Sequence, residues 1–176
     1  MTEERPDTIG KPPAGLDVKI AGGELYLRSE SLMMGYYDDE EGTGKVLREG
    51  WYATGDLCRM DEEGYLYLTG RKKNLIILSN GENISPEAIE KKLYRWEEIG
   101  EALVKAEGDL IAVSVFPRYP AECTAKEAEQ IRQKIREEIA EYNRSVPVYS
   151  QIQVIHFLEE PIDKTSMGKL IRYGKG

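Results

Sequence analysis

The sequence is poor in the residues that cross-link chains or bind metals. It has two cysteines, Cys58 and Cys123, and a single histidine, His156. Neither cysteine belongs to a Cys-x-x-Cys pair, so neither a disulfide nor a zinc site is indicated, and reduced thiols are typical of a cytoplasmic protein. His156 lies in an apolar stretch typical of a strand, and no Ser-His-Asp arrangement can be built around it.

Long apolar runs are missing as well. No stretch approaches the roughly 20 apolar residues that a membrane-spanning helix needs, and residues 1–6 lack the apolar core of a signal peptide. Lys and Arg number 24 against 32 Asp and Glu, which gives a formal net charge of −8. This balance argues against a broad nucleic-acid or anionic-membrane surface. We therefore expect a cytoplasmic protein with no membrane span and no nucleic-acid partner, although a few local cations could still bind a small anion.

Residues 1–69 have the pattern of turns and short strands. Polar and apolar residues alternate over 17–20 and 24–28 around Gly22 and Gly23, which predicts a β-hairpin. A second pair of strands is predicted at 58–60 and 65–68. This part is β-rich and charged, with little that could bury a large core.

From residue 70 the pattern changes to alternating strands and helices. We predict strands at 74–78, 102–105, 110–115 and 152–157, and helices after the cap residues Ser85 and Thr124. Pro86 at the first helical position supports the first helix. The order β-α-β-β-α-β predicts a small sheet with helices, so the whole chain is assigned to the α+β class.

A carboxylate and a guanidinium are candidates for binding a sugar. Asp56 follows Thr54 and Gly55 in a tight turn, where it could simply accept backbone hydrogen bonds. Carboxylates also bind the two hydroxyls of a ribose. Arg71 follows a predicted hairpin that could return the chain to the same edge, so it could bond the same sugar or pair with Asp56.

Three further positions admit both an ordinary and a functional interpretation. Residues 71–74 form a basic turn where the β-rich part meets the α/β part, and a change of φ and ψ there would reorient the second part. Gly81 is a turn glycine whose missing side chain would let a narrow ligand pass close to the backbone. Lys169 lies in a near-terminal segment, where a lysine is commonly just solvated, but docking of its domain could bring it to an anion.

Together these segments resemble the adenylate-forming superfamily of acyl- and aryl-CoA ligases, peptide-synthetase adenylation domains and luciferases. Residues 50–57 look like the family's Tyr-x-Thr-Gly-Asp motif, and residues 70–90 look like its hinge motif. Residues 161–172 are similar to its closing Pro-x-x-Lys-Thr-x-x-Gly-Lys-x-x-Arg, and residues 23–37 match its Gly-Glu-Leu…Gly-Tyr pattern. The four motifs occur in the family's order and cover essentially the whole chain.

The resemblance implies a two-step reaction. A carboxylic acid and ATP give an acyl-adenylate and pyrophosphate, and coenzyme A then takes the acyl group. Asp56 and Arg71 would hold the ribose, Lys73 would be the hinge, and Gly81 would line the tunnel for the thiol of coenzyme A. Lys169 would be the catalytic residue, orienting the substrate carboxylate and offsetting charge at the α-phosphate.

The beginning of the chain looks like the end of the family's Tyr-Gly-x-Thr-Glu motif, so Thr2 would contact phosphate and Glu3 would bind Mg²⁺. The family's phosphate loop and acyl pocket lie upstream of that motif. We therefore expect a C-terminal fragment: residues 1–69 as the end of the large domain and residues 70–176 as the mobile domain. Such a fragment needs its N-terminal domain as a partner and is expected to be inactive alone.

Three alternatives stay open at this point. The parent could be a peptide-synthetase adenylation domain, or the chain could be a non-catalytic interaction module derived from the same fold. Lys169 could also be a target of regulatory acetylation because of its expected exposure.

Overall fold

The computed structural model describes residues 5, 7–166 and 168–172. It divides into two compact units, one up to Leu75 and one from Ile76. The predicted α+β class is confirmed, because antiparallel strands dominate the first unit and strands and helices alternate in the second. The predicted boundary after residue 69 lies close to this division, and the assignment of the two parts to a large and a mobile domain stays a prediction.

The first unit is an antiparallel sheet. Its strands are β1 (Asp17–Ala21), β2 (Glu24–Arg28), β3 (Leu47–Arg48), β4 (Trp51–Met60) and β5 (Leu66–Arg71). The order is β1-β2-β4-β3, and β5 also pairs with β4. Both predicted hairpins are present, and the small core consists of Leu25, Cys58 and Leu66.

The strand β4 is irregular at the Thr-Gly-Asp segment. Glu24 lies opposite Leu57, while Tyr26, two residues further on in β2, lies opposite Ala53. The extra residues of β4 therefore bulge out of the ladder, and Gly55 has a φ of +71°. Bulges bend a strand and redirect its side chains, so this irregularity determines where Asp56 lies.

One helix of the first unit was not predicted. The helix α1 (Glu40–Val46) contains two glycines and has no buried residue. The Asp39 side chain accepts a hydrogen bond from the Gly42 N–H at 2.7 Å and caps the first turn. This cap offsets a poor helix propensity.

The second unit begins with a short hairpin of β6 (Ile76–Ile77) and β7 (Asn83–Ile84). The predicted strand at 74–78 is thus shorter than expected, because Lys72–Asn74 form a 3₁₀ turn that the Leu75 N–H closes onto the Lys72 carbonyl. The predicted order of this part lacked one strand, since β7 adds a second strand before the first helix.

The main sheet of the second unit has three strands in the order β10-β9-β8. They are β8 (Ile99–Glu107), β9 (Leu110–Pro117) and β10 (Ile152–Phe157), with β8 antiparallel and β10 parallel to β9. The helix α2 (Pro86–Leu93) packs against β8, and α3 (Ala125–Ser145) packs against β10. Ser85 caps α2, and Thr124 with Glu127 forms the predicted capping box of α3.

The larger core belongs to the second unit. Its buried members come from both helices and all three strands of the main sheet and include Leu93, Ile99, Val113, Ile135 and Ile152. His156 is exposed on β10 and bonds Glu107 at 2.7 Å. Within the described residues, no helix combines the length and the apolar character needed to cross a membrane.

Candidate functional site

Asp56 and Arg71 face each other across β4 and β5. They are cross-strand partners in the antiparallel register, and the Arg71 Nε lies 2.6 Å from the Asp56 Oδ1. The Arg71 side chain is half exposed and that of Asp56 about one quarter exposed. A carboxylate can accept about four hydrogen bonds, so this ion pair leaves Asp56 with acceptor capacity toward solvent.

The bulge that carries Asp56 is fixed by local hydrogen bonds. The Thr54 hydroxyl donates to the Leu25 carbonyl at 2.8 Å and accepts from the Asp56 N–H at 3.0 Å. The Gly55 N–H donates to the carboxylate of Glu24 at 3.2 Å. The backbone around Asp56 is therefore tied to β2 from two sides.

Glu24 is the buried centre of this arrangement. Its carboxylate also accepts hydrogen bonds from the Tyr26 hydroxyl at 3.0 Å and from the Lys72 Nζ at 2.7 Å. Burial raises the pKa of Glu24, but the hydrogen bonds from Lys72 and Tyr26 outweigh that effect and hold the pKa below its ordinary value. Lys72, the residue after Arg71, is thereby fixed to the first unit.

Lys73 lies in the 3₁₀ turn Lys72–Asn74 and is exposed. This turn directly precedes the division between the two compact units after Leu75. The position of Lys73 is thus compatible with a hinge, and its role stays a prediction.

Gly81 lies at the tip of the β6–β7 hairpin with a φ of +85°. Its N–H donates to the Leu78 carbonyl at 2.9 Å, and a Cβ atom built on it would meet no atom within 4 Å. The left-handed backbone of the turn is by itself a sufficient reason for a glycine at this position. The open space beside Gly81 would also admit a ligand.

Lys169 is exposed in a small hairpin of its own. Lys164 and Leu170 form an antiparallel bridge, and the Lys169 carbonyl accepts a hydrogen bond from the Thr165 N–H at 2.8 Å. Lys169 is therefore an exposed residue on a hydrogen-bonded backbone in the second unit.

Asp56 and Arg71 are thus brought together, whereas Gly81 and Lys169 lie in separate turns of the second unit. Thr2 and Glu3 lie outside the described residues. Sequence reasoning missed Glu24, Glu90 and Glu101, the three acidic residues that are buried among those the structure describes. Their signal is an acidic residue directly beside an apolar one, namely Leu25, Ile89 and Ala102, and it becomes specific only when the distant partners are known.

A magnesium site is not formed by the described residues. Among them, no three His, Cys, Asp or Glu side chains lie together in a group that could hold a metal ion. The expected ligand Glu3 is not among these residues.

The comparison with protein families and known proteins gives a consistent result. The family model "AMP-binding enzyme C-terminal domain" matches residues 73–174. The 2-methylpropanoate–CoA ligase CCL4 of Humulus lupulus is 37% identical over 167 residues, which cover 92% of this chain and 29% of that protein. A long-chain-fatty-acid–CoA ligase of Bacillus subtilis is 32% identical, over 97% of this chain and 31% of its own length.

Solved structures show the same likeness. The o-succinylbenzoate–CoA synthetase of Bacillus subtilis, in complex with ATP and magnesium, has a TM-score of 0.74 and 25% identity, covering 94% of this chain and 35% of its own. The chain spans less than a third of the length of the two curated relatives named above. With more than half of its residues matched by the family model, the chain belongs to the family of AMP-binding enzyme C-terminal domains.

Proposed function

We propose that the chain is the C-terminal part of an AMP-forming acyl-CoA ligase. In this reaction a carboxylic acid and ATP give an acyl-adenylate, from which coenzyme A takes the acyl group. The observation that carries the proposal is the Asp56–Arg71 pair, which is partly exposed and lies at the irregular Thr54–Asp56 segment of β4. The rest of the active site would belong to a region like the one that fills the remaining length of the relatives.

The Asp56–Arg71 pair is suited to a ribose. The carboxylate can accept hydrogen bonds from two neighbouring hydroxyls, and the guanidinium can donate to the same oxygens. Glu24 and Thr54 fix the backbone of Asp56, so little conformational entropy is lost when a sugar binds.

Lys169 would serve the first half-reaction. An ammonium about 4 Å from a developing negative charge contributes about 4 kcal/mol at an effective dielectric constant near 20. Such an interaction, made only in the transition state, corresponds to about two to three decades of rate. Exposure of Lys169 in the second unit fits an amine that acts on a ligand bound elsewhere.

The remaining residues would serve the change between half-reactions. Lys73 would be the hinge and Gly81 would line the path of the coenzyme A thiol, for which the open space beside it leaves room. Thr2 would contact phosphate and Glu3 would bind Mg²⁺, the ion that would neutralise phosphate charge. We place the protein in the cytoplasm, because its two cysteines are free and reduced thiols fit that compartment.

The test uses the complete protein that carries this chain. Lys169→Ala should slow pyrophosphate release with acid and ATP by about 100- to 1000-fold and should leave thioester formation from supplied acyl-adenylate near the wild-type rate. Lys126→Ala, which removes an exposed lysine of α3 in the same unit, is the matched control and should change neither rate. Equal losses in both half-reactions would contradict the role given to Lys169.

A further inference from the structure

The short hairpin around Lys169 has few means of holding its own conformation. It comprises residues 163–166 and 168–171 and is called the lysine hairpin below. Among its described residues, the hairpin's own hydrogen bonds are Thr165 N–H to Lys169 O, Gly168 N–H to Thr165 O and Ile171 N–H to Asp163 O, at 2.8–2.9 Å, and Lys169 N–H to the Thr165 hydroxyl at 3.2 Å. An isolated two-stranded hairpin is marginal in water, so contacts outside it must fix the position of Lys169.

One such contact is made by Glu101 to the start of the hairpin. Glu101, a buried residue of β8, accepts a hydrogen bond from the Ile162 N–H at 2.6 Å and forms an ion pair with the Lys164 Nζ. The carboxylate thus binds the backbone and a side chain of the same short segment. Because β8 belongs to the main sheet of the second unit, this contact ties the hairpin to the core.

The other contact follows the hairpin. Glu90, buried in α2, binds the guanidinium of Arg172 with both carboxylate oxygens, and the Nη1 to Oε1 distance is 2.9 Å. The same carboxylate accepts the Val104 N–H of β8 at 2.8 Å. Glu90 therefore joins helix, sheet and the residue after the hairpin.

Both contacts compensate a buried carboxylate in the same way. Removing a carboxylate from water is costly unless a cation and hydrogen bonds replace the solvent. Burial raises the pKa of Glu90, and the hydrogen bonds from Arg172 and Val104 act against that rise. For Glu101 the nearby cation is Lys164 of the hairpin, and for Glu90 it is Arg172, the residue after the hairpin. The cations compensate the buried carboxylates, and the carboxylates in turn hold the hairpin in place.

We propose that Glu90 and Glu101 are positioning residues for Lys169, acting as two buried anchors that hold the lysine hairpin at both of its ends. The inference rests on the proposed function, since it concerns the geometry of the amine in the first half-reaction. Neither carboxylate is expected to touch substrate.

The first test measures hydrogen exchange in this chain and does not require activity. Glu101→Gln keeps an acceptor for Ile162 but removes the charge that attracts Lys164. Lys164→Met removes the same ion pair without substituting a core residue. Both variants should raise exchange at the Thr165 and Ile171 amides about tenfold and leave the Val113 amide of β9 unchanged. Exchange at Thr165 and Ile171 within about twofold of wild type in both variants would overturn the proposal.

Glu107→Gln is the matched control because Glu107 lies on the same strand, β8, and is hydrogen-bonded to His156 at the surface. It removes one acidic charge from β8 without touching the hairpin. Its exchange at Thr165 and Ile171 should equal that of wild type. An increase as large as that of Glu101→Gln would show that net charge, and not the anchor, protects the hairpin.

The second test uses the complete protein. Glu101→Gln should lower kcat for adenylate formation about tenfold or more, with KM for ATP and the rate of thioester formation from supplied acyl-adenylate unchanged. Loss of folded protein alone would lower both half-reactions by the same factor, and that result would overturn the positioning role. If the wild-type protein forms no adenylate, the proposed function fails, while hydrogen exchange still decides whether Glu101 anchors the hairpin.

Discussion

Three buried carboxylates each have a cation in contact. The pairs are Glu24 with Lys72, Glu90 with Arg172, and Glu101 with Lys164. Each also accepts at least one backbone N–H, from Gly55, Val104 and Ile162 respectively. Buried charges persist when they are paired and hydrogen-bonded in this way, so the acids of this protein mark the segments that must be held in place.

Glu138 differs from these three. Its Oε2 atom is buried and has no hydrogen-bond partner among the residues that the structure describes, and Glu98 is a nearby carboxylate. Burial and the charge of Glu98 raise the pKa of Glu138 to about 7, against the opposing effect of Lys134. Lys134 bonds Glu98 and lowers the pKa of that residue instead.

The raised pKa gives a prediction for stability. Between the ordinary glutamate value of 4.5 and about 7 the folded state binds more protons than the unfolded state, so the contribution of Glu138 to stability falls as pH rises through this window. Glu138→Gln stays neutral and should raise the free energy of unfolding at pH 8 by about 1–2 kcal/mol, after allowance for solvent screening. At pH 5, close to the unfolded value of 4.5, the difference should be much smaller.

Urea unfolding followed by the helix signal at both pH values measures this effect. Glu137→Gln, at an exposed neighbour on α3 that bonds Gln133, is the control and should show no such dependence on pH. An equal gain at pH 5 and pH 8 would mean that packing of the amide, and not the charge of Glu138, is responsible.

The helix α2 covers the edge of the main sheet that β8 forms. The strand β8 is an edge strand, and its unpaired backbone groups would otherwise be open to another chain. The Tyr94 hydroxyl accepts the Ala102 N–H at 3.1 Å and donates to the Ala102 carbonyl at 3.2 Å, while Glu90 accepts the Val104 N–H. Side chains of the helix region thus take the place of a fourth strand.

Tyr94→Phe should therefore weaken this edge. Ala102 is fully buried, so its N–H and carbonyl would lose their partners at a cost of about 1–3 kcal/mol. We expect faster hydrogen exchange at Ala102 and a lower urea midpoint. Tyr149→Phe, a hydroxyl deletion at an exposed position of the same unit, should change neither. An unchanged midpoint for Tyr94→Phe would show that water replaces the hydroxyl.

Local patterns in the sequence predicted the elements whose signals are local. The caps at Ser85 and Thr124 and the spacing of apolar residues identified α2 and α3, and the paired glycines identified the first hairpin. The helix α1 was missed because two glycines lower its helix propensity and no face of it is buried. The strand predicted at 74–78 is longer than β6, because the 3₁₀ turn before β6 depends on backbone hydrogen bonds, which leave no apolar pattern in the sequence.

The candidate site was predicted in part. The motif around Asp56 and Arg71 suggested a shared edge, and the register of β4 and β5 places the two residues opposite each other. The supports of the site could not be predicted, because Glu24 and Lys72 are 48 residues apart and Glu90 and Arg172 are 82 residues apart. A single sequence gives no pairing for residues that meet only when the whole unit folds.

The proposed function needs a rotation between the two units, and the residues that connect the units determine where the backbone can rotate. Glu24 holds Lys72, so a rotation of the backbone before Lys72 would strain this contact. A rotation after Lys72 would leave it intact. Lys73 is the next residue and has no such anchor in the described network, and the division between the units follows two residues later, after Leu75. The pivot is therefore expected at Lys73.

Lys73→Pro tests the pivot in the complete protein. Proline fixes φ near −65°, so the variant should favour one orientation of the second unit and impair the change between half-reactions. We expect the overall rate from acid, ATP and coenzyme A to fall at least about tenfold, while at least one half-reaction, assayed alone, stays measurable. Lys73→Ala keeps a freely rotating backbone and serves as the matched control, with an overall rate close to wild type. If Lys73→Pro leaves both half-reactions and the overall rate unchanged, the rotation takes place at another residue.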